Sequence, residues 1–99
     1  MITKKPNINR SNKLYSIGQK IIPSGGQTYS KGVTQFTEGV APKYLESGKG
    51  AYAIDVDGNK YIDYVLACQP LILGYSDPDV NKAITNQLKK GSTFSLHNK

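Results

Sequence analysis

The chain has 99 residues, with 13 Lys or Arg, 7 Asp or Glu, a net charge of +6 and 37% hydrophobic residues. That suits one small domain or a piece of a larger one, able to bury roughly 60–68% of its unfolded surface. One Cys excludes an internal disulfide, Cys68 with His97 falls short of the four ligands zinc needs, and no apolar run approaches the 20 or so residues of a membrane span.

Residues 1–20 hold Lys4, Lys5, Arg10, Lys13 and Lys20 and no acid, so they carry +5 of the +6. The basicity belongs to an N-terminal arm. Arg10 is the one Arg, and Tyr15 is the one aromatic in that stretch. The Arg-rich, aromatic-interleaved surface of a nucleic-acid binder is missing, so neither nucleic acid nor membrane is expected as a partner. The first ten residues lead into no apolar stretch, so no secretory signal is read, and a single Cys suits a reducing, cytoplasmic setting.

In chain order, residues 1–10 read as a flexible basic arm. Ser11 is a candidate N-cap for a helix over 11–21, with Leu14, Ile17 and Ile21 on one face. Gly18 weakens that helix and Pro23 ends it. Residues 23–40, with Gly25, Gly26, Gly32 and Gly39, read as a long irregular loop. Strands follow at 43–46, 51–56 and 61–65, the last two joined by an Asp57-Gly58 turn. A second helix spans 78–90. Asp77 caps it, Pro78 sits at N1, Asp79 lies in the first turn, and Gly91 stands past its end. The fold class is α+β: an N-terminal helix, a small three-stranded antiparallel sheet and a second helix. Tyr52, Ile54, Ile62, Leu71, Leu73, Val80, Ile84 and Leu88 are the expected core, with apolar surface left uncovered.

Local chemistry is sparse. A calcium loop starting at Asp55 would need Gly sixth and Glu twelfth, where Lys60 and Leu66 stand. Ser24-Gly25-Gly26 lacks the surroundings of a phosphate loop and reads as a turn. His97 has no nucleophile–base partner, and Cys68 by itself reads as a small hydrophobe.

One long run carries more. Gly50-Ala51-Tyr52, Asp55-Val56-Asp57-Gly58-Asn59-Lys60-Tyr61-Ile62-Asp63-Tyr64, Pro70-Leu71-Ile72-Leu73-Gly74 and Asp77-Pro78 resemble the N-terminal region of class III aminotransferases. Ile22-Pro23-Ser24-Gly25-Gly26 and Gly91-Ser92-Thr93-Phe94 fall at matching places, so the resemblance covers residues 11–97. Within the family the pattern is nearest to glutamate-1-semialdehyde 2,1-aminomutase and its relatives. The resemblance implies a fold-type I enzyme using pyridoxal 5′-phosphate, an amino or oxo small-molecule substrate, and a homodimer for the intact enzyme. Residues 11–99 would then be small-domain structure plus the start of the large domain.

The resemblance also implies site residues. Ser30 stands for the family Ser that holds the substrate carboxylate. The Arg that accompanies it is replaced by Val33 or Thr34, leaving Lys31 as a less specific cation. Cys68 stands at the family's active-site Trp, and Tyr75 replaces a His. The family's cofactor Lys, the acid facing the pyridine nitrogen and the phosphate loop match nothing in these 99 residues. The expectation is therefore an N-terminal fragment, inactive alone, or a non-catalytic module that binds a full-length homologue or another protein.

Overall fold

The computed structural model describes residues 4–97. Helix α1 spans Asn9–Ile21, strand β1 Leu45–Lys49, β2 Tyr52–Asp55, β3 Lys60–Ile62, and helix α2 Pro78–Leu88. The three strands form one antiparallel sheet in the order β1-β2-β3. The α+β arrangement is the one the sequence predicts.

Helix α1 starts two residues early, and Ser11 is not its cap. Ile8 occupies the cap position with no side-chain bond. Asn7 Oδ1 takes the Asn9 N–H at 3.1 Å, and the next two donors are capped from a distance. Asp57, in the turn after β2, accepts from Arg10 N–H at 2.7 Å and from Ser11 N–H at 2.8 Å. A carboxylate at a helix N-terminus satisfies orphan donors and opposes the macrodipole. Arg10 Nη1 adds a bond to Val56 O at 2.9 Å, and Asn59 Nδ2 one to Asn7 O at 2.7 Å. Ile8 is buried, so residues 8–10 of the expected arm belong to the folded part, while residues 1–3 lie outside the described residues. Ser11 is fully buried, and its Oγ accepts from Lys43 N–H and Tyr44 N–H. That capture explains why β1 begins at Leu45 rather than 43. Gly18 is buried because the Tyr44 hydroxyl lies where its Cβ would be, 2.8 Å away.

The turn joining β2 and β3 is organised by Asp55, which is fully buried. Its carboxylate accepts from Asp57 N–H, Asn59 N–H, Asn59 Nδ2 and Tyr61 Oη, at 2.8–3.0 Å. Burial pushes the Asp55 carboxyl up, but these bonds together outweigh it and hold it below the usual carboxylate value. The Asp55–Asn59 acids and amides thus build a hairpin turn, with Gly58 at φ +86°.

Strand β3 ends at Ile62 rather than 65 because Asp63 turns the chain away. Asp63 N–H still reaches Ala51 O, but its Oδ1 captures the N–H groups of Val65 and Leu66. Its Oδ2 accepts from Tyr75 Oη at 2.7 Å. Tyr75 is bridged to Gly50 by two backbone bonds of 2.9 Å, and a Cβ on Gly48 would overlap its ring. Helix α2 is capped as expected, the Asp77 side chain accepting from Asp79 N–H and Val80 N–H.

The expected core is not the observed one. Ile8 and Ala53 are the buried apolar residues, among the described residues. Tyr52, Ile54, Ile62, Leu73, Val80, Ile84 and Leu88 are all exposed, Ile54 least at 37% and Leu73 most at 68%, and Leu71 is half-buried. Among the described residues no second layer covers those faces. The radius of gyration is 16.4 Å, where a packed domain of about 100 residues has about 13 Å.

Two outcomes follow from these anchors. Asp57→Ala removes a charged cap worth about 1–2 kcal/mol, so amide exchange at Arg10 and Ser11 is expected to accelerate roughly 5- to 30-fold. Unchanged exchange would show that α1 holds its first turn without Asp57. The second outcome concerns Tyr75, whose hydroxyl is pushed up to about 12 by burial and then by the Asp63 carboxylate. Its folded value lies above its ordinary one, so its stabilising bond is fully present below pH ~10 and is lost as pH rises through about 12. Ring-labelled NMR is expected to show Tyr75 titrating near 12, and Asp63→Asn is expected to bring it down toward 10.

Candidate functional site

The long loop after α1 is not irregular. It is a string of single 3-10 turns, Pro23–Gly25, Tyr29–Lys31 and Val33–Gln35. Each closes with its own backbone bond, Gly25 N–H to Ile22 O, Gly32 N–H to Tyr29 O, and Phe36 N–H to Val33 O. Ser24 sits at φ +62° and Gly25 at φ +69°. A Cβ on Gly25 would stand 2.7 Å from the Tyr15 ring, so this turn packs on α1 rather than opening a cradle for phosphate. Ser30 lies in the middle of the second turn, exposed.

The other wall is a left-handed turn. Leu66, Ala67, Cys68 and Gln69 have φ of +51°, +50°, +65° and +86°, and none is Gly. Left-handed L-residues cost roughly 1–2 kcal/mol each, so four in a row form a strained segment. Cys68 N–H bonds to Val65 O and Gln69 N–H to Leu66 O, which closes the turn on itself. A cavity of about 250 Å³ lies behind it, lined by Asp63, Leu66, Leu71 and Tyr75 among others.

The two walls meet. Cys68 Sγ stands 3.9 Å from Ser30 Oγ, in position to donate a weak S–H···O bond. Both side chains are exposed, so the thiol and hydroxyl look onto open space. Lys31 follows Ser30 on the same turn and is exposed; among the described residues no hydrogen bond or ion pair joins it to either. Val33 and Thr34 line a separate cleft of about 420 Å³ with Tyr15, Phe36, Glu38 and Lys43. His97 is exposed. Sequence reasoning missed the left-handed turn and its anchor on Asp63 and Tyr75. The available signal was Asp63 two residues before Val65, an Asx-turn spacing; Ala67-Cys68-Gln69 itself holds none of the Gly or Asn that mark positive φ.

The comparisons with known proteins bear on family and fold. The family model described as Aminotransferase class-III matches residues 35–98. Glutamate-1-semialdehyde 2,1-aminomutase 1 of Listeria innocua is 43% identical over 88 residues, which is 89% of this chain and 20% of that protein. The crystal structure of an omega-transaminase from Sphaerobacter thermophilus superposes with a TM-score of 0.75 at 28% identity, over 94% of this chain and 21% of that one. A transaminase with PLP bound superposes with a TM-score of 0.78 at 27% identity, over 94% and 21%. The chain therefore spans about a fifth of the length of these relatives, and it matches the N-terminal part of the aminomutases. On these grounds the chain belongs to the class III aminotransferase family.

Proposed function

We propose that this segment forms one wall of the substrate site of a pyridoxal 5′-phosphate-dependent aminotransferase or aminomutase, with Ser30, Lys31 and Cys68 facing an amino or oxo substrate. The observation that carries this is the 3.9 Å approach of Ser30 Oγ and Cys68 Sγ, two residues 38 apart in sequence. Both lie on short, tightly bonded turns that leave their polar atoms exposed.

The cofactor would supply an electron sink for the substrate's α-carbon chemistry. It needs a lysine amine, an acid facing its ring nitrogen and donors for its phosphate. Among the residues lining the two described cavities, Lys43 is the one lysine, and its Nζ is already bound to Asn12 Oδ1 at 2.7 Å and set 4.9 Å from the Tyr15 ring centre. The residues present do not fit the cofactor by themselves. In this reading the cofactor site and the cover for the exposed Val80, Ile84 and Leu88 come from further class III structure, and the intact enzyme is a cytoplasmic homodimer. Those same exposed side chains favour the second reading, a non-catalytic module that binds a full-length homologue.

What the site residues do follows from their chemistry. Ser30 offers a hydroxyl donor to a substrate oxygen. Lys31 offers a mobile point charge in place of a guanidinium fork. Cys68 offers a small, weakly polar contact where an indole would fill more space. A site without the fork holds a carboxylate less tightly, so the substrate is less carboxylate-like than glutamate-1-semialdehyde.

Two experiments test the reading. Residues 25–36 are grafted into a full-length relative that carries the Arg, and kcat/KM is measured with glutamate-1-semialdehyde. Losing a charge-assisted contact of roughly 1.5–3 kcal/mol is expected to lower kcat/KM about 10- to 150-fold, with recovery in Val33→Arg or Thr34→Arg. An unchanged kcat/KM would remove this loop from substrate recognition. Separately, the 99-residue chain is incubated with pyridoxal 5′-phosphate, reduced with borohydride and mapped. Weak labels scattered over exposed lysines are expected; one stoichiometrically labelled lysine with turnover of an amino donor would overturn the inactive-alone reading.

A further inference from the structure

We infer that Asp63 and Tyr75 are positioning residues, which together hold the left-handed turn at 66–69 and through it present Cys68 to Ser30. This rests on the reading of Ser30 and Cys68 as substrate-facing, and it goes further by naming what sets their separation.

A run of four non-Gly residues at positive φ persists only where its surroundings over-determine it. The bonds inside the turn, from Cys68 N–H to Val65 O and from Gln69 N–H to Leu66 O, close it but do not fix it to the sheet. Asp63 does that. Its backbone N–H is held by Ala51 O at 2.9 Å, so the residue is part of the sheet's edge. One carboxylate oxygen takes the N–H groups of Val65 and Leu66, at 2.8 and 3.2 Å, where the turn begins. The other takes the Tyr75 hydroxyl at 2.7 Å. A carboxylate held at one oxygen rotates about its Cβ–Cγ bond; one held at both ends does not. Tyr75 is the second hold, and it is rigid in its turn. Its N–H and C=O are both paired with Gly50, and its ring lies against Gly48 where no side chain would fit. The contacts therefore run without a gap from the sheet, through Tyr75 and Asp63, to the turn that carries Cys68. The lowered Asp63 carboxyl, caused first by the Tyr75 hydroxyl, agrees with a bond that is made in full.

The test reads the Ser30–Cys68 separation directly. Ser30→Cys is made in the 99-residue chain, whose other thiol is Cys68. Dibromobimane fluoresces once it has joined two thiols, so its fluorescence rate reports their proximity. Tyr75→Phe in that background is expected to lower the joining rate at least fivefold, with far-UV circular dichroism unchanged. Each thiol's reaction with a monofunctional reagent should also stay the same. Ser76→Ala serves as the control. It removes a bond of similar length beside the same strand bridge, Ser76 Oγ to Gly48 O at 2.8 Å, without touching Asp63, and is expected to stay within twofold. If Tyr75→Phe loses the parent's far-UV signal, Asp63→Leu, which keeps a side chain of similar length and removes both carboxylate holds, decides by the same criterion. An unchanged rate in the deciding variant overturns the positioning role and leaves the site reading standing. No joining in the Ser30→Cys parent overturns the site reading, and this inference with it.

Discussion

The arrangement depends on one carboxylate reaching across the chain. Asp57 takes the second and third N–H groups of α1, 47 and 46 residues away in sequence. With so little buried apolar surface, hydrophobic burial cannot by itself hold α1 on the sheet. Directional polar contacts do so. Asp55 shapes the turn that aims Asp57, Asp57 fixes α1, and Ser11 on α1 pins the backbone of Lys43 and Tyr44 just before β1. Each step delivers a buried or half-buried polar group to a full set of partners. Among the described residues no buried side-chain polar atom lacks one. Unmet partners there would cost more than the bonds themselves contribute.

That polar frame explains why large apolar faces remain open. The stripe Val80, Ile84 and Leu88 repeats along α2 at helical spacing, and all three are exposed. Tyr52, Ile54 and Ile62 on the sheet are in the same position. The extents of 50 × 35 × 19 Å describe a slab with one layer of structure through much of its depth. Stable domains bury such faces between two layers. Here one layer is present, in a chain that spans about a fifth of the length of its relatives.

Legibility in the sequence followed the range of each interaction. The start of helix α2 was legible because Asp77, Pro78 and Asp79 act within one turn of each other, whereas the helix ends at Leu88 rather than at 90. The hairpin was legible for the same reason, with Asp55, Gly58 and Asn59 inside one loop. The Asp57 part of the α1 cap was not, since no local window contains both Asp57 and Arg10. Ser11 was singled out for a local role and performs a distant one. The expected core failed for a different reason. Alternation and helical periodicity say which face of an element is apolar, and they do not say whether anything covers it. Family resemblance singled out Ser30, Lys31 and Cys68; the structure brings Ser30 and Cys68 together, and the left-handed backbone that carries Cys68 was not legible.

The backbone matters more than the contact between the two walls. A thiol and a hydroxyl 3.9 Å apart form at most a weak bond, far too little to hold two strained or exposed segments in register. Their separation must be set on each side independently. On the Ser30 side it is set by a short turn bounded by Gly32, where a Cβ would press 3.0 Å from Tyr29 O. On the Cys68 side it is set by Asp63, bonded to the turn at one oxygen and to Tyr75 at the other. Tyr75 in turn requires glycine at 48, because its ring fills the space a side chain would take. A change at Gly48 would therefore be felt at Cys68, although Gly48 lies on β1 and nowhere near the left-handed turn in sequence. In the proposed site the side chain at 68 would set the chemistry, and the Gly48–Tyr75–Asp63 chain sets where that side chain stands.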